Sequence, residues 1–396
     1  MIVLYVLFFG LFIYMAAGTL YLLVIALAGR FGTLRDYSGP VEEKKRIAVI
    51  IPSYKEDNII VHTAQQAAAH HYPADRFQVL VVADKLQPET VAALRQVPVQ
   101  VLEVDANMKS RSINAAFGVL DAGHFDIALI LDADNIMEQG CLEKVNAAFV
   151  KGAQAIQCHR TAKNQHTAVA VLDAISEEIN INLFRRGPAV LQLSAAPIGS
   201  GMAFDFTLLK SIFSQEHILN NPGEDREIDT YLMKNKVLMA FLDDAYVYDE
   251  KVANAGVFEK QRVRWLEAQV NHVKRFFDAD MKDCPRTVVY YNKLFQNLLL
   301  PRLLFIMVFG LLAVLLLLQW WLGTRLMSPA PGWWIGLMGC YAAVLFVSVP
   351  GRFYNAATLR AILHIPSLML AMLRALLKIK SGRTEFLHTP KTYTSK

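Results

Sequence analysis

Apolar residues in this 396-residue chain fall into two regimes. Towards the ends they form unbroken runs: residues 1–29, 303–324 and 326–351 hold no charged side chain. As helices, these runs are each long enough to cross roughly 30 Å of hydrocarbon. Between them, short apolar runs alternate with helix-patterned polar stretches. IAVIIP (47–52) reads as a buried strand feeding the loop SYKEDN, with a helix over 57–70 behind it. FQVLVVAD (77–84) and VQVLEVD (99–105) read as further strands, a helix covers 109–120, and FDIALILDAD (125–134) is a fourth strand. This alternation predicts an α/β domain with a mostly parallel central sheet and helices on both faces.

Beyond residue 135 the pattern is mixed. Residues 166–184, 223–234 and 256–280 look helical, and PIGSGMAF (197–204) reads as a glycine-punctuated loop. The domains expected are an anchor over 1–29, a catalytic domain over 45–280, an interfacial helix over 286–300 and two spans within 302–350. An interfacial or re-entrant helix and a basic tail follow over 355–396, because Arg360, His364, Pro366 and Arg374 interrupt the apolar run at 357–377. The first run lacks a basic n-region and a small-residue cleavage site, so it reads as a retained anchor. Arg30, Arg35, Lys44, Lys45 and Arg46 follow it and favour an outside N-terminus with the domain inside. Trp320, Trp321, Trp333 and Trp334, around the PAPG turn at 329–332, suit an aromatic belt at the outer surface or packing between helices.

Charge sharpens this picture. Residues 351–396 hold eight basic side chains against Glu385 alone, a net +7, so the chain's +5 leaves −2 for the remainder. Beside a membrane such a tail reads as an inner-leaflet contact, and no nucleic-acid partner is expected. The four cysteines have no metal or disulfide spacing. The localisation expected is a plasma or inner membrane, multi-pass, with the domain in the cytoplasm.

Acids recur where the strands end: Glu56, Asp84, then Asp132 and Asp134. Open α/β sheets bind ligands at that edge. Asp132 and Asp134, with Asn135 beside them, are a donor set for Mg²⁺ or Mn²⁺ when phosphate oxygens complete the shell. Asp84 suits a helix cap or a nucleoside contact. Lys109, Arg111 and Asn114 open a helix and suit phosphate. Glu224 and Asp225 offer a general base for an attacking hydroxyl. Gln261, Arg264 and Trp265 bring an amide, a cation and an aromatic face within five residues, the first two on one helical face.

In order and separation, IPSYKEDN, Asp84, KSRSIN (109–114), DAD (132–134), GED (223–225) and QRVRW (261–265) resemble the processive branch of the family 2 glycosyltransferases, the group of cellulose, hyaluronan and chitin synthases. The likeness spans about residues 47–270. It implies a GT-A nucleotide-diphospho-sugar transferase fold, a UDP-sugar donor, Mg²⁺ or Mn²⁺, and inversion in a single displacement. It assigns donor binding to Pro52, Tyr54, Glu56, Asp84, Lys109, Asn114, Asp132, Asp134 and Gln261. Asp132 and Asp134 become the metal ligands and Asp225 the base, with Glu224 and Arg264 beside it and Trp265 towards the acceptor. TEFLHTPKT (384–392) resembles a cytosolic tail of related membrane transferases.

The chain departs from that group in reading GED where many synthases have TED, and in its small membrane part. Three spans are few for a polymer channel, so either a second copy (a homo-oligomer) completes one or the enzyme transfers sugars without exporting a polymer. The function expected is transfer from a UDP-sugar to a growing polysaccharide or other membrane-associated glycan. Single-sugar transfer to a polyprenyl phosphate or glycolipid is the alternative, and a silent sugar-nucleotide-binding assembly subunit is a third reading.

Overall fold

A computed structural model of the chain describes residues 2–221, 223–324 and 327–379. The N-terminal run is one helix, α1 (Ile2–Phe31). The first α/β half follows as β1 (Ile47–Tyr54), α2 (Ile60–Ala68), β2 (Phe77–Asp84), α3 (Pro88–Leu94), β3 (Gln100–Val104), α4 (Lys109–Val119) and β4 (Ile127–Ile130). Next come β5 (Ile136–Met137), α5 (Cys141–Val150), β6 (Ala155–Ala162) and α6 (Ala168–Ile181), which runs through a π turn (Asn182–Arg186) into α7 (Gly187–Val190). The second half closes with β7 (Met202–Asp205), α8 (Phe206–Phe213), α9 (Glu216–Leu219), α10 (Glu224–Lys234) and β8 (Met239–Asp249). The C-terminal part is helical: α11 (Ala255–Arg275), α12 (Val288–Leu298), α13 (Arg302–Trp321), α14 (Pro331–Ser348), α15 (Ala356–Ile362) and α16 (Ile365–Leu377).

The eight strands form one sheet in the order β3-β2-β1-β4-β7-β6-β8-β5. The expected parallel arrangement holds for β3 to β4, which pair in parallel. The rest is mixed, because β7 runs antiparallel to both β4 and β6, and β5 antiparallel to β8. Period-two alternation divides the core between the two faces. Ile47, Val49 and Ile51 of β1 pack with Ile60 and Ala64 of α2 and Leu142 and Val145 of α5. Ala48 and Ile50 face the other way, onto Ile113 and Phe117 of α4 and Leu209 and Phe213 of α8.

Among the described residues, three helices are long and apolar enough to cross a membrane: α1, α13 and α14. The protein is membrane-associated. The helices share a core in which Met15, Leu22 and Ile25 of α1 meet Phe305 and Phe309 of α13 and Trp334 and Tyr341 of α14. Trp334 is buried edge-on against Phe12, whereas Trp320, Trp321 and Trp333 are exposed. One of the four tryptophans therefore packs between helices, and three are exposed. The ambiguous segment is a pair of helices, α15 and α16, meeting at 47°. Leu368 and Met372 of α16 pack against α11 and α13, and Lys378 pairs with Glu259 of α11 at 2.6 Å. Residues 380–396, including TEFLHTPKT and half of the tail's basic side chains, lie outside the described residues.

Close backbone approach joins the two parts. A Cβ on Gly187 would lie 2.5 Å from the Ile25 carbonyl of α1, and one on Gly29 would strike the Asn182 side chain. Asn182, in the π turn, donates to the Ala26 carbonyl at 3.2 Å and to Ser348 Oγ of α14 at 3.0 Å. The α/β domain is thus held to two of the long apolar helices by a buried amide.

Candidate active site

The parallel register places the ends of β1, β2 and β4 side by side, with Tyr54 opposite Asp84. A cavity of about 920 Å³ opens at this edge. Its walls are the ends of β1 and β4, the start of α4, the loop at 196–199, the start of α10, one face of α11, and α13 and α14. Of the residues singled out above, Pro52, Tyr54, Glu56, Lys109, Asp132, Asp134, Glu224, Asp225, Gln261, Arg264 and Trp265 line it.

The others stand elsewhere. Asp84 is buried behind the wall, where its Oδ2 accepts from the Asn107 amide at 2.7 Å and its Oδ1 has no partner. Burial pushes its carboxyl up, against the backbone hydrogen bonds of Asn107 and Ala106. Ser53, Asn107 and Ser112 present the cavity surface around it. Asn114 lies on α4 away from the wall, so the fold does not bring it to the cavity, and the exposed Arg111 binds Asn220 instead. Lys55 and Asn107, both at φ 57, turn the chain sharply at the mouth.

The DAD loop is held by buried polar contacts. The Asp132 amide donates to Ser200 Oγ at 2.8 Å, and that hydroxyl donates to Asn135 Oδ1 at 2.7 Å. Asn135 in turn donates to the Tyr248 carbonyl and to Asp249, each at 3.3 Å. Asp134 is buried, its Oδ2 accepting from the Glu250 amide at 3.3 Å. Among the described residues no group of three or more His, Cys, Asp or Glu could hold a metal. Two carboxylates on one short loop facing a cavity are nonetheless the donor set a hard divalent cation uses when phosphates supply the remaining oxygens.

Lys109 ties the acids together. Its ammonium lies 2.6 Å from Asp132 Oδ1, 3.2 Å from Glu224 Oε1 and 2.6 Å from the Gly199 carbonyl. Burial works against this charge, but Asp132 and Glu224 outweigh it and hold the ammonium above its ordinary pKa. Burial pushes Glu224 up, with Lys109 opposing and Asp225 adding to the rise. Asp225, next in α10, accepts from the Arg226 amide at 2.9 Å and keeps a face on the cavity. Glu224 is therefore engaged by the lysine, and Asp225 is the carboxylate of the pair without an ion-pair partner among the described residues.

On α11, Gln261 Oε1 is buried without a partner. Arg262 lies over the Trp265 ring at 4.1 Å and pairs with Asp173 at 2.8 Å, so one face of Trp265 is already covered.

Sequence reasoning missed a buried charge network beneath the cavity. Arg160 pairs with Glu177 at 3.0 Å, and Lys251 with Asp249 at 2.6 Å and Glu177 at 3.1 Å. It also missed Gly199, whose φ of +89 strains any larger side chain and whose added Cβ would lie 3.4 Å from Lys109 Nζ. The glycine spacing of PIGSG was the available signal. Arg185 and Arg302 also line the cavity without having been foreseen.

A parallel half-sheet ending in a D-x-D loop, with a carboxylate pair across the cleft, defines a nucleotide-sugar transferase of the GT-A fold. The chain belongs to the glycosyltransferase-like family 2, whose model matches residues 45–268. Its fold is similar to that of a mannosyltransferase from Pyrobaculum calidifontis solved with GDP-Man and Mn²⁺, at 16% identity and TM-score 0.58, over 93% of this chain and 97% of that one. Residues 1–349 of S. aureus TarS match at 13% identity and TM-score 0.43, over 84% and 91%. Glucosyl-3-phosphoglycerate synthase from Mycobacterium tuberculosis, solved with Mn²⁺, UDP and glucosyl-3-phosphoglycerate, matches at 13% and 0.40, over 58% and 80%. No curated protein matches the sequence.

Proposed function

We propose that the enzyme transfers one sugar, with inversion, from a nucleoside-diphosphate sugar to an acceptor borne by a membrane lipid. One observation carries this reading: a single cavity is lined both by the D-x-D loop and by Phe305, Ile306, Tyr341 and Leu345 of the spans. A water-soluble acceptor has no need of that apolar wall, whereas a lipid tail does.

The nucleoside sits over Ser53, Asn107 and Ser112, the surface that Asp84 supports from behind through the Asn107 amide. Asp132 and Asp134 would hold Mg²⁺ or Mn²⁺, which when bound neutralises the departing diphosphate. The acceptor hydroxyl attacks the anomeric carbon, its proton passes to Asp225, and the new C–O bond forms as the bond to the diphosphate oxygen breaks. The nucleoside diphosphate leaves with the electron pair. Arg264 and Gln261 stand on the diphosphate side, and Trp265 offers its uncovered face to the acceptor sugar. The domain lies on the cytoplasmic side.

The family resemblance favours a UDP-sugar, while the archaeal mannosyltransferase was solved with GDP-Man. The test is the purified full chain in lipid, supplied with labelled UDP- and GDP-sugars and a membrane lipid extract, followed by sizing of the product. A lipid product one sugar larger supports the proposal. A ladder of lengths would support the processive reading, and no labelled product with any donor would sink both.

A further inference from the structure

We propose that the acceptor lipid carries a phosphate, and that Arg185 and Arg302 bind it at the level where the cavity enters the membrane. This rests on the reading of a lipid-borne acceptor and specifies its head group.

The acids in this part of the cavity already have cations. Asp173 pairs with Arg262, Glu177 with Arg160, and Asp229 with Lys293 at 2.9 Å. Arg185 and Arg302 are different, because their hydrogen bonds go to neutral oxygens. Arg185 donates to the carbonyls of Ala196 at 3.0 Å, Pro197 at 3.3 Å and Asn180 at 3.4 Å. Arg302 donates to Asn180 Oδ1 at 3.0 Å and to the Ser176 carbonyl at 2.9 Å. Both guanidiniums therefore converge on Asn180, and all three residues line the cavity. Neither arginine makes an ion pair with a carboxylate among the described residues.

Two adjacent half-buried cations with no directly paired carboxylate are costly unless a ligand supplies an anion. Burial lowers the Arg185 guanidinium to about 10, with Glu177 offsetting part of the effect, so it is still charged near neutral pH. Guanidiniums match phosphate oxygens through paired N–H donors. Depth decides which phosphate. Arg302 is the first residue of the span α13, and Phe305, Ile306 and Tyr341 continue the wall from it. A basic pocket between spans at the membrane surface suits a lipid head group, its tail following the apolar wall. A free anion would leave that wall unused.

The test is binding by the purified full chain in detergent, measured by calorimetry with three probes: farnesyl phosphate, farnesol and inorganic phosphate. Farnesyl phosphate should bind at least tenfold more tightly than farnesol, and millimolar inorganic phosphate should not displace it. Arg302→Gln and Arg185→Gln should each remove most of that preference while leaving farnesol and sugar-nucleotide binding unchanged, which also reports folding. Arg302→Lys keeps the charge and should lose less. Equal binding of the two lipids, displacement by inorganic phosphate, or an undiminished preference in both folded glutamine variants would overturn the proposal. If wild type transfers sugar into lipid without preferring farnesyl phosphate, this inference alone fails. A preference without any transfer to lipid counts against the proposed function instead.

Discussion

At the residue scale, two adjacent carboxylates have different surroundings. Glu224 is held by Lys109, while Asp225 faces the cavity with only a backbone amide on its side chain. Replacing Asp225 by Asn keeps the shape and that hydrogen bond but removes the proton acceptor. Transfer should fall by about 10²–10⁴-fold, with sugar-nucleotide affinity within twofold of wild type. Comparable transfer by the two proteins would remove Asp225 as base. Gly199 makes a sharper geometric case. At φ +89, Ala costs about 1 kcal/mol, and a backbone shift to relieve that strain would move the carbonyl that holds Lys109 Nζ. Gly199→Ala should therefore lower the melting temperature and weaken donor binding together, as thermal unfolding and calorimetry would read. The acidic motifs were legible because each lies on a local pattern: an apolar run ending in DAD, a turn before GED. Arg185 and Arg302 were not, because their role comes from two distant segments meeting at Asn180.

At the element scale, the missed strands are instructive. β6 hides because its buried positions include Gln157, His159 and Thr161, each satisfied by hydrogen bonds rather than by apolar neighbours. β8 pairs with it through a register shift at Cys158/His159, which breaks simple alternation. His159 lies between Asp243 and Glu178, at 3.1 and 3.3 Å, and Arg352, just beyond α14, reaches Glu178 at 2.5 Å. Burial alone would lower the His159 pKa, but Asp243 and Glu178 raise it to about 9. An unfolded histidine titrates near ~6.5, so the folded state holds the extra proton between these values. Its stabilisation is full below about pH 6.5 and is lost as pH rises through about 9. Melting temperature should fall across that window in wild type and fall less in His159→Gln. Parallel curves for the two would contradict the assignment. Gly187 tests the joint between domain and spans: with a Cβ position 2.5 Å from the Ile25 carbonyl, Gly187→Leu should push α1 off the π turn. The expected result is a lower melting temperature and faster proteolysis after α1.

On the scale of the whole molecule, the long apolar helices and the family 2 domain line one shared cavity. The spans and the first α/β half were legible because hydropathy and strand alternation are local signals. The mixed second half, and the reach of the cavity into the membrane, depend on packing that no local window contains. The donor end predicts its own metal dependence. A chelator should abolish transfer, and Asp132→Asn or Asp134→Asn should weaken donor binding in Mn²⁺ by tenfold or more while changing metal-free binding little. Unchanged affinity in Mn²⁺ would remove these acids as ligands.

The central claim, that the acceptor reaches Asp225 through the membrane-side wall, is tested most directly by where labelled sugar goes. The purified chain should be offered a membrane lipid extract and soluble oligosaccharides together, and the products partitioned between water and organic solvent. The predicted result is label in the organic phase with wild type and none with Asp225→Asn, although both bind the donor. Label confined to soluble oligosaccharides would contradict the claim.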